Sequence, residues 1–277
     1  MQNPFVTTEW FAEHLSDPDL VILDGSWHMP GAAREARAEY LAGHIPGAVF
    51  FDIDAIADRE TDLPHMLPAP AQFSGMVSDL GVSETSTIVV YDELGLFSAS
   101  RVWWTFKAMG ASDVRILEGG GPKWRAENRP LQSGETTRSP GNFQARFDPD
   151  RVTDFETVRD RSGDGQSQIV DARPAARFNA EIPEPRPGLR GGHIPKSRNV
   201  PVGLLTEGGV MHTPEELREL FAQQGLDLGK PLITSCGSGI TAATLALALE
   251  RAGAGEVAVY DGSWTEWGSR SEAEIAP

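Results

Sequence analysis

The apolar positions of this chain fall into short continuous runs, each set off by turn residues and followed by a stretch with helical spacing. Val21-Ile22-Leu23-Asp24 is such a run closed by an acid, and it returns as Ile169-Val170-Asp171. Thr87-Ile88-Val89-Val90-Tyr91 leads through Asp92-Glu93-Leu94-Gly95 into a helical pattern from Ala99 to Met109. Its counterpart is Pro231-Leu232-Ile233-Thr234-Ser235, then Cys236-Gly237-Ser238-Gly239, then a helix from Thr241 to Ala252. Gly110 and Gly253 stand where these helices need a C-terminal cap. A last strand in each half, Val114 to Leu117 and Val257 to Tyr260, is followed by Trp124 or by Trp264 and Trp267. Strands alternating with helices predict an α/β fold with mainly parallel sheets flanked by helices.

The pattern occurs twice. Gly43-His44-Ile45-Pro46-Gly47-Ala48 returns as Gly192-His193-Ile194-Pro195-Lys196-Ser197, and the chain reads as a tandem duplication. A length of 277 residues fits two domains at about 150 residues each. Ser133 to Pro149 is rich in Ser, Thr, Gly and Pro, which predicts a surface linker over 136–149 between domains at 1–135 and 150–277. His44 and His193 recur in both halves, so structural roles are expected of them.

A formal charge of -16 with no Lys/Arg run argues against a nucleic-acid partner, because phosphate contacts need a basic face. The start, MQNPFVTTEWFAEHL, has no basic region ahead of an apolar one, and no segment approaches the roughly 18 apolar residues that span a bilayer. A cytoplasmic protein with no membrane partner is expected. The single cysteine, Cys236, has no thiol within the chain to pair with or to resolve it. It also leaves no zinc pattern, and neither a metal nor another cofactor is expected.

A lone cysteine is by default a small buried hydrophobe. Cys236 instead lies where a strand gives way to a glycine-rich turn opening a helix, so that backbone N–H groups can converge on its sulfur. Those groups and the helix dipole favour a thiolate and any anion built on it. Cysteine phosphatases use the same element with an arginine six residues on, but Ala242 stands there. The lysine and spacing of a Walker phosphate loop are missing too.

Cys236-Gly237-Ser238-Gly239-Ile240-Thr241-Ala242 resembles the active-site loop of the two-domain rhodanese superfamily of sulfurtransferases, in the branch that uses 3-mercaptopyruvate. Gly25-Ser26-Trp27, the Gly-His-Ile-Pro pair, Phe51-Asp52-Ile53-Asp54, His65-Met66-Leu67-Pro68 and Asp261 to Trp267 carry the resemblance over nearly the whole chain. It implies two rhodanese-like domains. It also implies sulfur transfer through a Cys236 persulfide to a thiol such as reduced thioredoxin, or to cyanide. Asp92 aligns with Cys236 and cannot accept sulfur, so the first half is expected to be a degenerate copy walling a cleft.

Thiosulfate-using relatives place basic residues directly after the cysteine, whereas Gly237 and Ser238 are neutral and suit a donor charged further away. The resemblance assigns the donor carboxylate to Arg177 and Arg186, and the sulfur to the loop of Gly237, Gly239, Ile240 and Thr241. Asn179-Ala180-Glu181-Ile182 departs from the family, which more often has glycine and threonine there. Ser238, His65 and Asp54 are implied as a hydroxyl, imidazole and carboxylate relay. The plain readings are a surface histidine for His65 and a helix cap before Ala55 for Asp54. Arg173 is expected to pair structurally, Asp171 to hold loop backbone, and Trp264 is considered for the mouth of the site. The alternatives are a thiosulfate:cyanide sulfurtransferase and a non-catalytic rhodanese-like binding module.

Overall fold

A computed structural model describes residues 3–277, so Met1 and Gln2, which open the stretch inspected for a targeting signal, lie outside it. The first half runs β1 (Phe5–Val6), α1 (Thr8–His14), β2 (Leu20–Asp24), α2 (Ala36–Ala42), β3 (Val49–Phe50) and α3 (Pro70–Asp79). It continues through β4 (Thr87–Tyr91), α4 (Ala99–Ala108), β5 (Val114–Leu117) and α5 (Gly120–Ala126). The second half runs β6 (Val152–Thr153), α6 (Phe155–Asp164), β7 (Gln168–Asp171), α7 (Ala175–Phe178) and β8 (Arg198–Asn199). A hairpin of β9 (Thr206–Glu207) and β10 (Val210–Met211) follows, then α8 (Pro214–Gln223), β11 (Leu232–Ser235), α9 (Ile240–Ala252), β12 (Val257–Tyr260) and α10 (Ser263–Trp267).

Each half forms one five-stranded parallel sheet, ordered β1-β5-β4-β2-β3 and β6-β12-β11-β7-β8. The two orders are the same order, position for position. All five residues of β2 and all four of β11 are buried, as parallel strands covered on both faces must be. α4 and α9 pack on each other and join the halves. This contact explains why α9 is apolar nearly all round: one side faces its own sheet and another faces α4. Gly110 and Gly253 follow these helices at φ +82° and +104°, the left-handed caps that favour glycine. Among the described residues no helix is long and apolar enough to cross a membrane.

The Ser/Thr/Gly/Pro stretch after Ser133 has no strand or helix up to Asp148, but it is not loose. Gly141 and Phe143 donate backbone N–H groups to the carbonyl and hydroxyl of Ser78 on α3, and Ala145 donates to Ser74. Phe143 inserts edge-on against Phe73 and Phe106 with ring centres 5.9 and 6.0 Å away. One aromatic residue in a polar stretch thus anchors it to the first half.

The duplicated acids fare differently. Asp171 forms a buried ion pair with Arg173, Oδ2 to Nη2 2.8 Å. Asp24 has Ser26 in the arginine's place, bonds its N–H at 3.0 Å, and keeps Oδ2 without a partner. Burial accordingly raises the Asp24 carboxyl from 3.8 to about 6. Because the folded value lies above the unfolded one, the folded state binds the extra proton between those two values and loses stability as pH rises through about 6. A gap of about two pH units makes the ionised carboxylate cost about 3 kcal/mol above that window. Asp24→Asn is expected to raise the free energy of unfolding by about 2 kcal/mol at pH 8, by about half as much at pH 5 and by little at pH 3, where both states are protonated; the two pH values that test it are 8 and 3. Urea melts at the two pH values check it, and an equal effect at both would rule out ionisation as the cause.

Candidate active site

Cys236 leaves the end of β11 and is 2% exposed. Its own N–H donates to Ser263 Oγ at 3.1 Å. The carbonyls of Cys236 and Gly237 are held by the N–H groups of Trp264 and Thr265 at the start of α10, both at 2.9 Å, and the Thr265 hydroxyl also donates to Gly237. With the carbonyls tied down on that side, the next N–H groups are free: among the described residues none from Gly237 to Thr241 donates a hydrogen bond. They head a helix of 13 residues, so the loop presents several donors and the positive end of a dipole beside one sulfur.

The duplication demonstrates what such a loop holds. In the first half the Asp92 carboxylate accepts from Leu94 through Oδ1, and from Phe97, Ser98 and Ala99 through Oδ2, at 2.8 to 2.9 Å. A buried anion fills the equivalent turn with its own side chain. Cysteine is too short to do this, and the loop around it is left open to an anion attached to its sulfur.

Two loop glycines lie against arginines, and one of them needs a glycine backbone. Gly239 has φ +82°, and a Cβ on it would lie 2.6 Å from Arg101 Nη1. A Cβ on Gly237 would lie 3.0 Å from Arg177 Nη2, so the guanidinium rests against bare backbone there. A long basic side chain at 237 would compete with Arg177 for this space.

Arg177 therefore meets the loop, while Arg186 stands beside His65, and the two are not equivalent. Arg177 pairs through Nη2 with the buried Glu184, whose other oxygen lies 2.7 Å from Arg173 Nη1. Arg186 has no carboxylate partner among the described residues. Burial draws its guanidinium below the ordinary value, opposed chiefly by the nearby Cys236 charge. Ala180 has φ +55°, so the loop between the arginines makes a left-handed turn at about 1 kcal/mol of backbone strain.

His65 and Asp54 come together as expected, Nδ1 to Oδ1 2.9 Å, although the N–H points off the line to the carboxylate. Asp54 is not a helix cap; Asp52 takes the N–H groups of Asp54 and Ala55. Nor is His65 a surface residue, at 6% exposure. The His65 bond holds the Asp54 carboxyl below its usual range. Desolvation lowers His65 despite Asp54, and Arg101 and Arg186 add to the lowering. The lowering favours a neutral imidazole beside a carboxylate, with Nδ1 on the Asp54 side and Nε2 on the other. Nε2 faces Arg186 Nη2 at 3.5 Å. Among the described residues the Ser238 hydroxyl, 6% exposed, makes no hydrogen bond to either of them.

Several residues of this site went unassigned in the sequence. Trp27 donates Nε1–H to Asp54 Oδ2 at 3.1 Å and stands edge-on to His65, 4.9 Å between ring centres. Glu184 links the arginines, and the prolines on both sides of it were the available signal. Trp264 does not line the mouth: it is fully buried and stacks under Arg173 at 4.2 Å, because its α10 position faces the core. His44 and His193 are structural, each giving Nδ1 to a backbone carbonyl, of Tyr40 and Phe178. A cleft of about 600 Å³ opens beside Trp27, Asp54, His65 and Arg186, with Cys236 outside its lining.

The rhodanese-like domain family model matches this chain twice, over residues 7–127 and 154–270. The 3-mercaptopyruvate sulfurtransferase of Escherichia coli strain K12 is 46% identical over 274 residues, covering 99% of this chain and 98% of the relative. The thiosulfate sulfurtransferase of Bos taurus is 42% identical over 282 residues, covering 99% and 95%. The crystal structure of SseA from Escherichia coli, described as a 3-mercaptopyruvate enzyme of the rhodanese fold, superposes with a TM-score of 0.88 at 44% identity, covering 95% of this chain and 99% of that one.

Proposed function

The chain belongs to the rhodanese-like family as two consecutive copies of that domain, and we propose that it is a 3-mercaptopyruvate sulfurtransferase in which Cys236 carries the sulfur as a persulfide. The observation that carries the reading is the Cys236 loop, with its N–H groups from Gly237 to Thr241 uncommitted while the Asp92 loop closes on its own carboxylate. The division into domains at 1–135 and 150–277, with 136–149 between them, accompanies it.

The Cys236 thiolate attacks the donor sulfur and breaks its bond to carbon, leaving the enolate of pyruvate and a persulfide on Cys236. Arg186 and Arg177 hold the donor's carboxylate and carbonyl oxygens, and the same cations stabilise the enolate as charge moves onto it. His65 Nε2 takes the donor's thiol proton and returns it to the enolate carbon, giving pyruvate, while Asp54 holds the imidazole through Nδ1. The Ser238 hydroxyl is a donor to the reacting sulfur. Gly239, Ile240 and Thr241 offer N–H groups to the persulfide. No other cysteine exists in the chain, so the sulfur leaves to an outside acceptor, a thiol such as reduced thioredoxin or cyanide, in keeping with a cytoplasmic setting.

Overall identity does not choose the donor, since relatives named for either donor are similarly close. The Gly237–Arg177 contact favours 3-mercaptopyruvate, because the space a basic residue would need after the cysteine is occupied. Incubation with 3-mercaptopyruvate should add one sulfur to the intact mass and release pyruvate. kcat/KM should exceed that for thiosulfate by at least about 100-fold, the scale of one misplaced charged contact. A higher value for thiosulfate would make the protein a thiosulfate:cyanide sulfurtransferase, and no persulfide from either donor would leave a binding module.

A further inference from the structure

Lys107 and Glu250 occupy the same position in the two copies, each three residues before the glycine that follows its helix, Gly110 or Gly253. They bring opposite charges to the ends of α4 and α9 remote from the Cys236 loop, yet among the described residues they form no ion pair with each other. Glu250 turns Oε1 to Arg151 Nη1 at 2.8 Å and keeps Oε2 buried without a partner, its side chain only 7% exposed. Lys107 donates one long bond, 3.3 Å, to the Ala111 carbonyl. Arg151 directs Nε at Asp148 and Nη1 at Glu250, and its Nη2 makes no hydrogen bond among the described residues. All three side chains line one cleft of about 190 Å³, with Trp103, Val114 and Pro4 as its apolar wall. Asp113 and Arg115, also at its edge, satisfy each other at 2.7 and 2.8 Å. Arg151 and Glu250 border a wider cleft of about 680 Å³ as well, but Lys107 lines only the small one.

Uncommitted donors on Lys107 and Arg151 thus meet an uncommitted acceptor on Glu250 in one small space between the halves. We propose that this cleft binds a small α-amino acid, with its ammonium on Glu250 Oε2 and its carboxylate between Lys107 Nζ and Arg151 Nη2. An α-carbon carries the two charged groups side by side, as this wall requires. A simple anion would leave the Glu250 oxygen unanswered, and a simple amine would leave both cations so. Burial raises the Glu250 carboxyl against the pull of Arg151 and Lys107, and burial lowers the Lys107 amine, with Arg151 adding to it. A bound zwitterion opposes both shifts, since each group gains a counterion where water is scarce. A volume of about 190 Å³ is below the roughly 300 Å³ at which clefts for drug-sized ligands begin, so the side chain beside Trp103 and Val114 is a short apolar one. From Ile240 to Glu250 the axis of α9 advances about 15 Å, which sets this cleft apart from the Cys236 loop.

Calorimetric titration of the full chain with L-alanine tests this. The expected Kd is about 1 mM, within what six non-hydrogen atoms can supply. Propionate, which lacks the ammonium, and ethylammonium, which lacks the carboxylate, should each bind at least about tenfold more weakly. Glu250→Gln keeps an oxygen for Arg151 but faces the ammonium with an uncharged amide, and should weaken L-alanine at least about tenfold; Lys107→Met should do the same from the carboxylate side. Arg186→Ala should leave the affinity unchanged, because the donor site at Cys236 is a different place. No heat with the wild type overturns the proposal, as does propionate binding as tightly as L-alanine. An unchanged affinity in Glu250→Gln overturns it too, and so does loss of binding in Arg186→Ala, which would place the amino acid in the donor site. If Glu250→Gln does not fold, Lys107→Met decides alone, and wild-type affinity there overturns the proposal.

Discussion

Replacing Cys236 by serine is expected to lower kcat/KM for 3-mercaptopyruvate by at least about 10⁴-fold, roughly 5.5 kcal/mol of transition-state stabilisation. The hydroxyl does not ionise near neutral pH, and the loop's N–H groups stabilise an anion that serine does not supply. Nothing else in the chain can take over, because Cys236 is the only cysteine and Asp92 already saturates the matching loop. Folding should be little affected, since serine is of similar size and lies at the edge of a loop whose hydrogen bonds run through backbone and Ser263. The variant should show no added sulfur by intact mass and a melting temperature within a few degrees of wild type. Turnover at more than a hundredth of the wild-type rate would mean that sulfur does not travel through residue 236.

The sheet architecture was legible because parallel strands buried on both faces leave continuous apolar runs, and the duplication printed each run twice. Cys236, the arginines and the His65–Asp54 pair could be found from local motifs. What spacing could not convey is how charges divide across space. Arg177 and Arg186 look alike in sequence, and only the fold shows Glu184 engaging one of them. The implied relay was half legible: Asp54 meets His65, but His65 Nε2 faces Arg186, and the Ser238 hydroxyl makes no bond to it among the described residues. Arg101 was hidden for a different reason. It sits in a helix of the first half, and its partners Asp261, Gly239 and His65 lie 160, 138 and 36 residues away.

The inequality of the two arginines yields the second large effect. Arg186→Ala is expected to lower kcat/KM for 3-mercaptopyruvate by about 10²–10³-fold, the 3–4 kcal/mol typical of truncating one member of a partly buried charge contact. Arg177→Ala should cost only about tenfold, because Glu184 already neutralises much of its charge and remains paired with Arg173 afterwards. Arg186→Lys should recover part of the loss, since it restores a point charge without the fork that grips two oxygens. The pH profile adds an independent check. Burial, Arg101 and Arg186 hold His65 down against the pull of Asp54, so removing Arg186 lets its pKa rise. If the reaction uses neutral His65, the acid limb of kcat/KM then moves to higher pH in Arg186→Ala and stays in place in Arg177→Ala. Equal losses in the two variants with no movement of the acid limb would show that the donor is held by Arg177 as much as by Arg186, and that His65 does not sense the cation beside it.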